Sequence, residues 1–423
     1  MLNAEIFDRF KNEKGEFKPS LCDDAKGLLQ LYEASFLSIE GESTLEMARE
    51  LTIKHLDDQF HSPLVHHGLE LPLHWTTQRA EARWFINIYG DRLDMNPILL
   101  ELAKLNFNIV QAKYQKELKH VSRWWKGTCL AEKLPFARDR LVECFFWTTG
   151  MIFEPQYDFY RTIATKVNAL ITIIDDIYDV YGTLEELEVF TTTIERWDVN
   201  SIHQLPDYMQ ICYLALNNFV NEMAYDVLKE KGLIIIPYLR KAWADLCKAY
   251  LEEAKWYFNG YKPTMEEYMN NAWISIGAPV MLSHAFFAVT NPIEKEAAQY
   301  LLNYPDLIRW SAMILRLSDD LGTSSDELKR GDVPKSIQCY MNETGASEDD
   351  ARKHVRFLIS ETWKKMNKDG GADCPFSQTF IEIAKNVGRM SQYMYQYGDG
   401  HGMSNSETKD RISTLVFEPI PLA

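Results

Sequence analysis

Residues 169–182 read ALITIIDDIYDVYG. Three aspartates, Asp175, Asp176 and Asp179, stand inside a strongly apolar run. An unpaired carboxylate is expensive to bury, so the stretch raises the question of what partner offsets that cost. Apolar side chains at Ile163, Val167, Leu170, Ile171, Ile174, Ile177 and Tyr178 recur at the spacing of one helix face. Gly182 stops the pattern, and Thr183 with Glu186 supplies a capping box for a helix through EELEVFTTTIERW. On a helix Asp175 and Asp179 share a face, and Asp176 points about 100° away. Two convergent carboxylates repel, and at neutral pH they need a cation or a shared proton. Hard oxygens at this spacing suit Mg²⁺ or Mn²⁺. A solvated acidic turn is the plainer alternative, and the apolar flanks count against it.

Outward from this stretch the pattern is helical nearly throughout, with no convincing strand pairs and no internal repeat, so the expected class is all-α. Residues 1–93 read as short helices with polar turns. DRLDMNP, residues 91–97, looks like a stop followed by a helix start. Longer helices follow, which predicts a division into 1–93 and 94–423.

Composition narrows the function. The 423 residues are 46% hydrophobic and 13% aromatic, enough for a large core and unlike a disordered chain. A net charge of −16 argues against nucleic acid and anionic membranes as partners. An anionic ligand therefore needs a locally cationic site. Seven scattered cysteines without a C-x-x-C pattern argue for a reducing compartment and against a disulfide framework or a zinc cluster. No apolar run reads as membrane-spanning. His66, His67 and His74 lack a trusted metal-ligand spacing and read as structural.

A second acidic stretch, LRLSDDLGTSSDELKRG at 315–331, places Asp319, Thr323 and Glu327 four residues apart, on one helix stripe. This pattern can build a second divalent-metal site; Asp326 and Lys329 read equally well as surface charges. The cationic candidates are Arg138 and Arg140 in ARDRLVECFFW, Arg316 one helical turn before Asp319, and Lys335 in GDVPKS. Guanidinium forks and a lysine suit a phosphate, although for any one of them ion pairing with the acidic helices is the plainer role. Two acidic helices and a cationic set together describe a diphosphate bridged by several divalent ions.

These motifs resemble those of the plant class I terpene synthases, and among them the monoterpene synthases. DDIYD matches the family's aspartate-rich metal motif and DDLGTSSDE its second metal motif. RDR, ending 35 residues before Asp175, matches its diphosphate-binding arginine pair, and RGDVPKSIQCYM and GDGHG are also similar to family sequence. The resemblance implies a class I terpenoid synthase α-helical bundle with a partial amino-terminal α-barrel domain. It implies three Mg²⁺ ions, with Mn²⁺ as a substitute, two bridged by Asp175 and Asp179 and one held by Asp319, Thr323 and Glu327. Asp176 would pair with an arginine, while Arg138, Arg140, Arg316 and Lys335 steady the leaving diphosphate. Trp147 and Tyr395 would face the carbocation through their rings, and Asp399 and His401 would help close the site. Gly277 and Pro279 would break a helix whose free carbonyls face a cation; a structural kink is an equal alternative. Thr148 stands where it could affect access of water.

The reaction so implied is ionisation of geranyl diphosphate to a monoterpene, by a monomer with a small prenyl diphosphate as its partner. The alternatives are farnesyl diphosphate as substrate, chain elongation, and a helical binding protein without turnover. The family's tandem-arginine motif near the mature start is not found here, which puts efficient cyclisation in question. Residues 1–17, MLNAEIFDRFKNEKGEF, resemble neither a signal nor a transit peptide. The expected location is the plastid by resemblance, and the cytosol if the chain is complete.

Overall fold

Helix punctuation in the sequence recurs as helix ends in the computed structural model. It describes residues 7, 9–59, 62–330, 333–371, 374–402 and 406–422, with the side chains of 19, 57–59 and 325–330 outside that description. Among the described residues one isolated bridge, Lys11 to Phe17, is the sole extended pairing; the ordered elements are otherwise helical.

The first segment carries α1 (Ala25–Ser35), α2 (Ser43–Gln59), α3 (Pro63–Glu70) and α4 (Gln78–Gly90). Leu28, Tyr32, Phe36, Leu56 and Val65 form a small core of their own, and Trp75 packs against both it and the large core. Polar clamps fasten this segment to the rest. Asn367 donates to the carbonyls of Phe36 and Ser38, each at 3.0 Å, and Arg49 reaches Ser360 at 2.9 Å. His74 meets Asn367 at 2.8 Å, so this histidine is a structural contact.

Then comes α5 (Pro97–Thr128), started by Pro97 and capped by Asn96, whose side chain accepts from the Ile98 and Leu99 N–H groups. The helices that build the large core follow: α6 (Leu141–Met151), α7 (Asp158–Asp176), α8 (Leu184–Arg196), α9 (Asp207–Lys231) and α10 (Ile236–Asn259). Next are α11 (Met265–Ser275), α12 (Ala278–Val289), α13 (Asp306–Arg330), α14 (Ser336–Thr344), α15 (Glu348–Asp369) and α16 (Gln378–Met394). Helix α7 is buried almost all round, packed on α5, α6 and α12, which explains its apolar sequence. Helix α13 packs on α15 and α16. Thus each acidic motif rides on an interior helix.

Two local features differ from the sequence reading. The regular helix ends at Asp176, and Ile177–Tyr181 forms a π-helical turn, closed by Gly182 N–H donating to the Ile177 carbonyl at 2.8 Å. Asp179 therefore leaves the simple four-residue register with Asp175, because a π turn takes more residues per revolution. The second feature is Met265–Val289, which has the length and hydropathy of a membrane-crossing helix. The sequence reading had found no such run. In the fold 72% of its most apolar window is buried, and the segment is broken between α11 and α12, so it serves as core.

Candidate active site

The break itself is set by Gly277 and Pro279. Gly277 sits at φ +80°, where a side chain is strained. Pro279 has no N–H, so the Ser275 carbonyl four residues earlier loses its helical donor. A Cβ on Gly277 would meet Ile171 at 3.1 Å. The break thus presses on α7 one turn before Asp175.

Arg138 answers the question of what accompanies the buried aspartates. Its guanidinium donates to Asp175 Oδ2 at 2.6 Å and to Asp176 Oδ1 at 2.8 Å, while its backbone N–H donates to Asp176 Oδ2 at 2.6 Å. Asp176 is buried, whereas Asp175 keeps part of its surface open. Burial raises the Asp176 carboxyl to about 6 against the pull of Arg138. Burial opposes the Arg138 charge in turn, and Asp175, Asp176 and Asp179 outweigh it. At neutral pH both partners are charged.

Asp179 is exposed at the rim of the site, as are Val180 and Tyr181 after it, while Ile177 and Tyr178 before it are buried. Desolvation in that crowded setting, then repulsion from Asp175, push its carboxyl above the ordinary range; Lys335 and Arg138 pull it back. Lys335 is itself buried, at the start of α14.

The second acidic helix has a matching arrangement. Arg316 is buried, donates to Asp320 Oδ1 at 2.8 Å, and pairs with Asp319. Asp320 is the residue that sequence reasoning passed over. It is fully buried and also accepts the Tyr268 hydroxyl at 3.0 Å and the Ser336 N–H at 3.1 Å. Its signal was the doublet Asp319–Asp320: one aspartate holds the scaffold while the other remains for the site. Thr323 is buried and donates to the Asp319 carbonyl at 3.0 Å. Glu327 lies on α13, and its side chain lies outside the described residues, as do those of Asp326 and Lys329.

The turn at 395–402 joins the two acidic helices. A Cβ on Gly322 of α13 would stand 3.0 Å from both the Gly398 carbonyl and Tyr395, and one on Gly402 would stand 2.9 Å from Arg138. Tyr395 meets Trp147 at 6.2 Å between ring centroids, with planes tilted 55°. Burial, then the charges of Asp319 and Asp399, raise the Tyr395 hydroxyl well above its usual value. Asp399 Oδ1 accepts the His401 and Gly402 N–H groups at 3.0 and 2.6 Å.

Arg140 turns toward this loop instead of the aspartates. It donates to the carbonyls of His401 and Gly402 at 3.1 and 2.8 Å. His401 is anchored to α7 through Thr172 at 3.2 Å. Burial, with Arg138 and Arg140 beside it, lowers the imidazole to about 3, so it is neutral. Between the two arginines, Asp139 accepts the Trp125 indole N–H at 3.0 Å. Thr148 is fully buried and donates to the Phe145 carbonyl at 2.7 Å, with Thr165 as a further neighbour at 3.4 Å.

Among the described residues, no three His, Cys, Asp or Glu side chains close into a ready-made metal cage. Carboxylate and hydroxyl oxygens fit Mg²⁺, which takes a few protein oxygens and completes its shell with phosphate oxygens and water. The donor chemistry of these helices fits such a shared cluster.

Comparison with known proteins agrees with this geometry. Residues 126–365 match the profile described as "Terpene synthase family, metal binding domain", and residues 2–72 match "Terpene synthase, N-terminal domain". The chain is 62% identical to (−)-alpha-terpineol synthase of Vitis vinifera, with 99% of this chain aligned to 72% of that protein. It is likewise 62% identical to the chloroplastic myrcene synthase of Quercus ilex, with 100% and 72% covered. Among solved structures, limonene synthase with 2-fluorolinalyl diphosphate superposes with a TM-score of 0.97 at 55% identity, covering 100% of this chain and 79% of that one. Isoprene synthase from grey poplar (Populus x canescens), with three Mg²⁺ ions and dimethylallyl-S-thiolodiphosphate, gives 0.95 at 48%, covering 100% and 82%. The expected all-α class I terpenoid synthase architecture is therefore the observed one. This chain belongs to the terpene synthase family, among its plant monoterpene synthases, and is a lyase.

Proposed function

We propose that this chain ionises geranyl diphosphate between two acidic walls and converts the resulting allylic cation to a monoterpene. The observation that carries the reading is the 395–402 turn, which touches Gly322 on one acidic helix and Arg138 beside the other. Asp175 and Asp179 would hold two Mg²⁺ ions, and Asp319, Thr323 and Glu327 a third, with Mn²⁺ as a substitute. When bound, the ions supply Lewis-acid charge that favours departure of the diphosphate.

The protein's own residues do the rest. Arg138 is already aligned by Asp175 and Asp176 and Arg316 by Asp320, while Lys335 is a buried cation at the start of α14. They stabilise the negative charge that grows on the leaving oxygen. Arg140 serves the same end by holding the loop at His401 and Gly402. The carbon–oxygen bond breaks with its electron pair leaving on the diphosphate. Trp147, buried, and Tyr395, half-buried, help keep water from the cation and offer it ring faces in place of nucleophiles. Loss of a proton or capture of water then ends the sequence.

Our reading further assigns 1–93 to the amino-terminal domain and 94–423 to the catalytic one, with their boundary just before the Asn96 cap. Action as a monomer is part of the same reading. Relatives named chloroplastic support a plastid location. The test is incubation with geranyl or farnesyl diphosphate and Mg²⁺, followed by headspace analysis. A volatile C10 product that disappears with chelator supports the reading. Products from farnesyl diphosphate alone, longer diphosphates, or no turnover by folded protein would replace it.

A further inference from the structure

Phe136 lies two residues before Arg138, and Tyr181 lies two residues after Asp179. Their rings stack face to face, with centroids 4.0 Å apart and planes at 0°. Tyr208 of α9 stands edge-on to both, at 5.8 Å from Phe136 and 5.0 Å from Tyr181. Its hydroxyl donates to Glu186 Oε2 at 3.0 Å, and that same oxygen accepts the Thr183 N–H at 3.0 Å. The exit of the π turn is thus held on both sides of Gly182, at Tyr181 by rings and at Thr183 by Glu186.

Gly182 itself leaves no slack. A Cβ there would meet Leu187 at 2.7 Å and the Ile177 carbonyl at 2.9 Å. A π turn is an intrinsically poor helix and persists where its surroundings hold it. Tyr181 is 56% exposed, so its ring contributes little to the core. What the stack does connect is the segment carrying Arg138 and the turn carrying Asp179.

We infer that the Phe136–Tyr181–Tyr208 cluster is a positioning device that sets Asp179 against the arginine segment, and thereby sets the Mg²⁺ requirement of the first acidic wall. The inference rests on the metal-dependent reading given above. The three aromatic residues act through the backbone of the π turn and the arginine segment. Tyr181 needs only its ring for this role, since it is the ring that stacks.

The test compares Tyr181→Ala and Tyr181→Phe with the wild type. Mg²⁺ is titrated in turnover of geranyl diphosphate and, separately, in calorimetric binding of inorganic pyrophosphate. Loss of two ring contacts should raise the half-saturating Mg²⁺ concentration about tenfold in Tyr181→Ala. Tyr181→Phe should match the wild type, and the urea midpoint of Tyr181→Ala should fall only modestly, its ring being 56% exposed. A half-saturation in Tyr181→Ala within about twofold of wild type overturns the inference. So does a Tyr181→Phe variant as impaired as the alanine one. A wild type that binds Mg²⁺ with pyrophosphate but turns nothing over would remove the catalytic reading alone, because calorimetry still reads the positioning effect. A wild type that binds no Mg²⁺ in the presence of pyrophosphate would overturn both.

Discussion

Arg138 holds Asp176 twice, through its backbone N–H at 2.6 Å and its guanidinium at 2.8 Å, and still reaches Asp175 with a second guanidinium nitrogen. A planar fork is needed to serve two carboxylates from one side chain. Lysine carries the charge without the fork. Arg138→Lys should therefore lower kcat/KM at least about 100-fold with a stability loss of only about 1–3 kcal/mol, since the backbone bond to Asp176 survives. Steady-state kinetics with urea unfolding measures both, and wild-type kinetics in the variant would show that charge alone suffices.

Asp320 is the buried anchor of the second wall. Replacing it with alanine takes a carboxylate partner from the Arg316 guanidinium, the Tyr268 hydroxyl and the Ser336 N–H in the interior. The expected cost is about 3–5 kcal/mol, read as a shift in the denaturant midpoint. A cost below about 1 kcal/mol would mean that Arg316 is held by Asp319 alone.

Gly277→Ala tests the helix break. Alanine at φ +80° costs about 1 kcal/mol in backbone strain, and its methyl group must displace Ile171. A destabilisation of about 1–2 kcal/mol is expected, together with a changed product ratio, because Ile171 lies one turn from Asp175. Gas chromatography checks the second outcome. An unchanged product ratio would separate the break from cation chemistry.

His284 gives the fold a pH dependence of its own. It is fully buried, its Nδ1 bonded to the Val280 carbonyl at 2.8 Å and its Nε2 accepting from the Trp243 indole at 3.4 Å. Burial lowers its pKa to about 4. The unfolded chain takes up that proton near pH 6.5 and the folded chain does not. Its contribution is complete above about pH 6.5 and falls as the pH drops toward 4, with about 2 kcal/mol gone by pH 5. His284→Leu should show a smaller loss by that amount between pH 7 and pH 5 in urea unfolding, and an identical slope would contradict the assignment.

Much of this was legible in the sequence because it rests on local spacing. The Thr183–Glu186 capping box, the Asn96–Pro97 helix start and the break near Gly277 are written in neighbouring residues, and all three occur. The π turn was not legible, since Ile177–Tyr181 has the composition of an α-helix and is shaped by contacts from elsewhere. Arg140 is bonded to carbonyls 261 and 262 residues away, partners that no local spacing encodes. The stack of Phe136 on Tyr181 joins two loops whose proximity no spacing encodes. Asp320 was hidden for a different reason, because a doublet of identical residues does not say which one faces inward.

The central claim is that the two acidic helices face one metal–diphosphate cluster. Anomalous diffraction from crystals soaked in Mn²⁺ and pyrophosphate tests it most directly. Peaks beside Asp175 and Asp179, and a further peak beside Asp319 and Thr323, all bridged by pyrophosphate density, are the predicted result. Pyrophosphate bound at Arg138 and Arg316 with no anomalous peak between those side chains would contradict it.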